Sequence, residues 1–153
     1  VLAADGVNDK TLQQMSNALQ SAGAVVEIIA PYQGEIESEH NKLVTVHQSF
    51  LTAASVLYDA VYIPGGKGSV ATISADSNAL HFIHEAYKHC KTIAADPDAK
   101  EVLDQTFLTP ALAGGAQEGI IMGAQTDKLI AAFIESVARH RVWDLESKRK
   151  IPA

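Results

Sequence analysis

Residues 1–30, VLAADGVNDKTLQQMSNALQSAGAVVEIIA, divide by pattern into three parts. Residues 1–4 form an uninterrupted apolar run, and Asp5, Gly6, Asn8 and Asp9 after them are turn and helix-capping types. Over residues 10–22 the apolar side chains Leu12, Met15, Ala18, Leu19 and Ala22 recur at three- and four-residue spacing, and Gly23 supplies a stop. Residues 24–30 are rich in β-branched types, with Glu27 the one charge before Pro31. The whole reads as strand, helix, strand.

The same alternation continues along the chain. Residues 33–50 carry much acidic and polar material, with a period-two pattern at 43–46 that suggests a small hairpin or edge excursion. Residues 60–63 read as a buried strand closed by Pro64, Gly65 and Gly66, with a short helix expected over 69–74. Residues 78–90 predict an amphipathic helix with Leu80, Ile83, Tyr87 and Cys90 inward and His81, Glu85, Lys88 and His89 on or near the other face. Strands are expected at 92–95 and 119–122, and helices at 98–103 and 126–142, the last with Leu129, Ile130, Phe133, Ile134 and Val137 inside. Strands alternating with helices predict an α/β fold, a flavodoxin-like three-layer sandwich with a mostly parallel sheet and helices on both faces. No repeat or linker divides it, so residues 1–153 are expected to form one domain.

Composition excludes several classes. A chain of 153 residues, 47% apolar and 20% charged, buries a core and is not disordered. Twelve basic against eighteen acidic residues leave a net charge of −6, the wrong sign for general nucleic-acid binding. The longest apolar run, residues 129–134, falls far short of the roughly 20 needed to span a bilayer, so no membrane role is expected. Cys90 is the single cysteine and can form neither an internal disulfide nor a cysteine-based metal site. Val1 opens an apolar run without an initiator methionine, and the chain reads as a piece of a longer polypeptide whose remainder sets its compartment, cytoplasmic or secreted.

In such a sheet, ligands bind beyond the carboxyl ends of the strands, which directs attention to residues 5–9, 64–69 and 96–101. The first segment has two carboxylates and no hydroxyl before Thr11, which suits neither a flavin nor a nucleotide phosphate. In the second, Gly66, Gly68 and Ala71 match G-x-G-x-x-A formally, but after the third strand and without the acidic partner downstream. Gly65, Gly66 and Gly68 therefore read first as a tight turn, and second as a backbone nest for a small anion or nucleotide. In the third, Asp98 with Glu101, or Asp96 with Pro97, read as helix starters before they read as an acid-base pair. His81 and Glu85, one turn apart near His84 and His89, make two possible ligands but not a metal site, so no metal is expected. Cys90, on the apolar stripe of a helix end, reads as a packing thiol, not as a nucleophile.

Asp59-Ala60-Val61-Tyr62-Ile63-Pro64-Gly65-Gly66 and Lys91-Thr92-Ile93-Ala94-Ala95 resemble two motifs of the class I glutamine amidotransferase-like superfamily, in its PfpI protease and chaperone branch. Glu85-Ala86-Tyr87-Lys88-His89, Arg139-His140-Arg141-Val142-Trp143 and Lys150-Ile151-Pro152-Ala153 resemble the C-terminal domain of large-subunit haem catalases, a likeness that covers essentially the whole chain. In active PfpI relatives the turn after the fourth strand carries a cysteine nucleophile followed by histidine, and the turn after the first strand a glutamate. By motif, Pro97 stands at the cysteine position, Asp98 at the histidine and Asn8 near the glutamate. Proline has no nucleophile, its φ near −65° is incompatible with a positive-φ elbow, and asparagine cannot act as a carboxylate base.

The resemblance therefore implies a domain without catalytic residues. It would serve a parent catalase that disproportionates hydrogen peroxide, with haem held upstream and no cofactor in this chain. The implied partners are the catalytic domain and sister subunits, and the chaperone members suggest holding of unfolded client proteins. Two other readings stay open: a hydrolase or glyoxalase-type enzyme working through Ser69, Asp98 or Cys90, and an anion- or nucleotide-binding module at residues 65–69.

Overall fold

A computed structural model describes residues 1–108, 119–123 and 126–145. The terminal motif at residues 150–153 lies outside the described residues. Helix α1 (Asp9–Ser21) opens on Asn8, whose side-chain oxygen accepts from the backbone N–H groups of Lys10 and Thr11 at 3.1 and 3.0 Å. That bond satisfies donors a helix start leaves orphaned. Leu12, Met15 and Leu19 form its buried face. Gly23, at φ 89°, ends the helix as the spacing predicts, with Ala24 N–H returning to the Leu19 carbonyl.

Strand β1 (Ile29–Ala30) is shorter than the expected 24–30. Beside it the expected first strand makes a parallel bridge at Leu2 to Ile29, and Leu2 N–H also bonds the Tyr62 carbonyl at 3.0 Å. The expected hairpin exists: β2 (Gly34–Glu37) pairs antiparallel with β3 (Leu43–Val46). Strand β4 (Gln48–Ser49) runs parallel to β1. Next come β5 (Ala60–Ile63), α2 (Lys67–Ala75), α3 (Ser77–Lys88) and β6 (Thr92–Ala95). A single 3-10 turn at Pro97–Ala99 leads into α4 (Lys100–Asp104), followed by β7 (Ile120–Met122) and α5 (Thr126–Ala138). The spatial order is β4, β1, residues 2–4, β5, β6, β7, all parallel where paired as strands.

Alternation along the strands places the three layers. On β5 and β6, Val61, Ile63, Ile93 and Ala95 face a core shared with Val70, Ile73, Phe82, Ile83, Val102 and Leu103 of α2, α3 and α4. Tyr62 and Ala94 face the opposite side, where Met15 and Leu19 of α1 meet Leu129 and Phe133 of α5. Successive side chains point to opposite faces, and both faces are covered, so the strands read as unbroken apolar runs. A third cluster, with Val7, Leu12, Ile28, Ile36 and Val46, seats the hairpin.

Helix α3 is rotated from the expected stripe: Ala79, Phe82, Ile83, Ala86 and Tyr87 are buried, while Leu80 is half-buried. It ends at Lys88, two residues early. Cys90 follows in a left-handed conformation, φ 58°, with its N–H on Tyr87 O and that of Lys91 on Ala86 O. Helix α5 likewise stops at Ala138, short of the expected 142, because His140 turns to φ 68°.

Candidate functional site

The first segment pairs with β1 on one side and bonds β5 on the other, so the chain reverses its direction of sheet growth there. A crevice between the loops following these two strands is where such a fold places ligands. Residues 5–9, 64–69 and 96–99 meet at this end, and the structure does bring together Asn8, Gly65, Gly66, Gly68 and Asp98.

The loops are packed backbone against backbone. Asn8 N–H donates to the Gly65 carbonyl at 2.9 Å. Gly66 has φ 111°, and a Cβ there would lie 2.3 Å from the Gly6 carbonyl oxygen and 2.6 Å from the Asn8 nitrogen. A Cβ on Gly68 would meet the Asp5 carbonyl oxygen at 3.0 Å. Ser69 is fully buried, and its hydroxyl oxygen accepts the Ala4 N–H at 2.9 Å. From above, the hairpin closes the first loop: Asp5 Oδ1 accepts the Glu37 N–H at 2.8 Å, and Gly6 N–H donates to the Glu37 carbonyl at 2.7 Å.

Asp96 corrects the helix-starter reading. It sits before Pro97, yet its carboxylate makes no capping bond. It is buried instead, with Oδ1 accepting the Tyr62 hydroxyl at 2.8 Å and Oδ2 accepting the Gly65 N–H at 2.8 Å. Burial and then the Asp96 charge push the Tyr62 phenol far above its ordinary pKa. The Gly65 donor that a nest would offer to an incoming anion is thus engaged by an internal carboxylate. Asp98 is not a cap either: α4 has Ala99 at its N-cap and no side-chain bond there. Pro97 and Asp98 are exposed on the 3-10 turn, with Asp98 Oδ2 near Gly65. Among the described residues, only Asn41, Cys90 and His140 adopt positive φ without being glycine, so the turn at Pro97 lacks the strained elbow of a nucleophile.

Elsewhere, Cys90 is buried at the end of α3. At the C-terminal end of α3, His89 Nε2 lies 3.6 Å from Glu85 Oε2, while the His84 ring packs tilted against Phe107 with ring centroids 4.2 Å apart. The His84 imidazole is pushed down in pKa, chiefly by burial. The group that sequence reading missed is Asp9, Glu39 and His40, whose potential ligand atoms lie within 4.8 Å of one another. Both Asp9 oxygens are already paired at 2.5 Å, with His40 Nδ1 and Lys42 Nζ. Separations of 31 and 33 residues gave no signal; the hairpin brings them together. His47 Nδ1 accepts the Ile28 N–H at 3.0 Å, a structural bond.

The family model for the C-terminal domain found in long catalases matches residues 1–145. The chain belongs to this family. Catalase HPII of Mycobacterium avium is 38% identical over a match covering 94% of this chain and 22% of that protein. Catalase HPII of Pseudomonas aeruginosa is 32% identical, covering 100% of this chain and 21% of that protein. This catalase C-terminal domain thus spans about a fifth of the length of the curated relatives it matches. Among solved structures, DJ-1β of Drosophila melanogaster superposes with a TM-score of 0.75 at 16% identity, over 99% of this chain and 96% of that one, a likeness of fold.

Proposed function

We propose that this domain does no chemistry of its own and stabilises a long catalase whose peroxide reaction takes place in the polypeptide upstream. The observation that carries this reading is the proline at the turn where active relatives of the superfamily would place a thiol, in a crevice whose polar groups bond one another. Asn8 caps α1, Asp96 holds Tyr62 and Gly65, and Ser69 holds Ala4. The family assignment supports a catalytic region as the partner.

The tyrosines do not fit haem iron. A haem of the catalase kind takes a tyrosinate ligand. Here Tyr58 donates to Glu27 Oε2 at 2.7 Å and Tyr62 to Asp96 Oδ1, and burial with those carboxylates pushes both phenols up, away from ionisation. Tyr87 is buried in the core, and Tyr32 is exposed on a turn.

The test is deletion of this domain from the full-length polypeptide. Turnover of hydrogen peroxide at 25 °C should be preserved within about twofold, while the half-life at elevated temperature falls by tenfold or more, roughly 1.4 kcal/mol in the barrier to inactivation. A lost turnover with an intact haem spectrum would overturn the reading. Exposed Val25, Leu51, Val56 and Leu57 favour a second property, the holding of partly unfolded chains.

Ser69 and Cys90 are buried, which leaves the exposed Asp98 to a hydrolase or glyoxalase, and among the described residues no hydrogen bond joins Asp98 to a thiol, imidazole or hydroxyl.

A further inference from the structure

At the opposite end of the sheet from the crevice lies a cavity of about 520 Å³, lined by Val1, Leu19, Val26, Leu57, Phe133 and Val137 among others. Val25 and Leu57 at its edge are 90% and 76% exposed. Its floor carries the start of a parallel ladder: Val1 nitrogen donates to Glu27 O at 2.7 Å, Ile29 N–H to Val1 O at 2.8 Å, and Ala3 N–H to Ile29 O at 3.0 Å. The parallel ladder is therefore regular from Val1 onward.

We infer that this cavity is the seat of the polypeptide immediately preceding Val1 in the long catalase, which enters extended and buries apolar side chains against Leu19, Val26, Phe133 and Val137. The inference rests on the domain assignment above: relatives are about five times longer than this chain, and this domain is C-terminal in them. An extended entry prolongs the ladder with Glu27. A pocket of this size accommodates a few side chains, and the low-entropy continuation of an existing strand is the cheapest way to fill it. The candidate thus differs from the crevice at residues 5–9 and 64–69, which its own loops already fill.

Hydrogen exchange in the full-length polypeptide and in the 153-residue chain provides the test. Amides of residues 24–27 and 57–60 should exchange about tenfold more slowly in the full-length protein, with residues 5–8 and 65–68 unchanged. Val25→Glu and Leu57→Glu, both at exposed positions, should leave the thermal midpoint of the 153-residue chain unchanged and shorten the heat-inactivation half-life of the full-length protein several-fold. Equal exchange at residues 24–27 and 57–60 in the two proteins would overturn the inference. So would protection that appears in the short chain with rising concentration, which marks a second copy, or that is lost on truncation after residue 145, which marks the tail. Deletion of the domain without effect on half-life sinks the stabilising role; deletion with effect but unchanged exchange at the cavity sinks only this seat.

Discussion

Gly66 shows what a single residue contributes. Its φ of 111° is open to glycine and strained for others, and the space for a side chain is taken by the backbone of residues 6–8. Those atoms belong to another strand's loop and cannot move aside like a flexible side chain. Gly66→Ala should therefore destabilise the domain by about 3 kcal/mol or more, measured by urea denaturation, whereas Asp98→Ala on the exposed turn should stay within about 0.5 kcal/mol. A tolerated Gly66→Ala would show that the loops are not locked together. Asp96 makes the related point that a residue type is read by its partners: the helix-starter reading followed from local spacing, and the carboxylate instead reached across 31 and 34 residues to Gly65 and Tyr62.

Between elements, the hairpin is tied to α1 by one carboxylate. Asp9 opens the helix, and the hydrogen bond from Lys42, then that from His40, lower its pKa from 3.8 to about 2. A carboxyl depressed on folding contributes stability that is fully present above its unfolded value and is lost as pH falls through the folded one. The loss thus falls between about pH 4 and pH 2. Asp9→Asn should lower the thermal midpoint at pH 6, and its difference from the native chain should shrink as pH is taken down to 2. A difference that is constant across that range would refute the pairing. The elements themselves were readable because periodicity is local: α1, its cap region and Gly23, β5, β6 and the hairpin all follow their patterns. The ends of α3 and α5 were not, because left-handed Cys90 and His140 carry no signal that glycine would have given.

Over the whole molecule, a parallel sheet covered on both faces still leaves Val25, Leu51, Val56 and Leu57 more than 70% exposed. If these side chains hold partly unfolded chains, a substoichiometric amount of the domain should reduce light scattering from a heat-aggregating client enzyme, and the reduction should weaken with Leu57→Glu. Unchanged turbidity would remove the second property while leaving the stabilising role intact. Among the described residues no helix is long and apolar enough to cross a membrane. The family match extends over nearly the whole chain, which is what the order and spacing of separated motifs had implied.

Fold class, the βα alternation, the placement of the loops at the carboxyl ends of the strands and the family were determined by the sequence alone, since each depends on local periodicity or on motif order along the chain. Only the tertiary structure decided that Asp96 bonds inward, that Asp9 joins His40 and Lys42, and that Val1 floors a cavity at the far end of the sheet. Those outcomes depend on which residues, tens of positions apart, are brought within hydrogen-bond reach when the layers pack, and spacing along a chain carries no record of that.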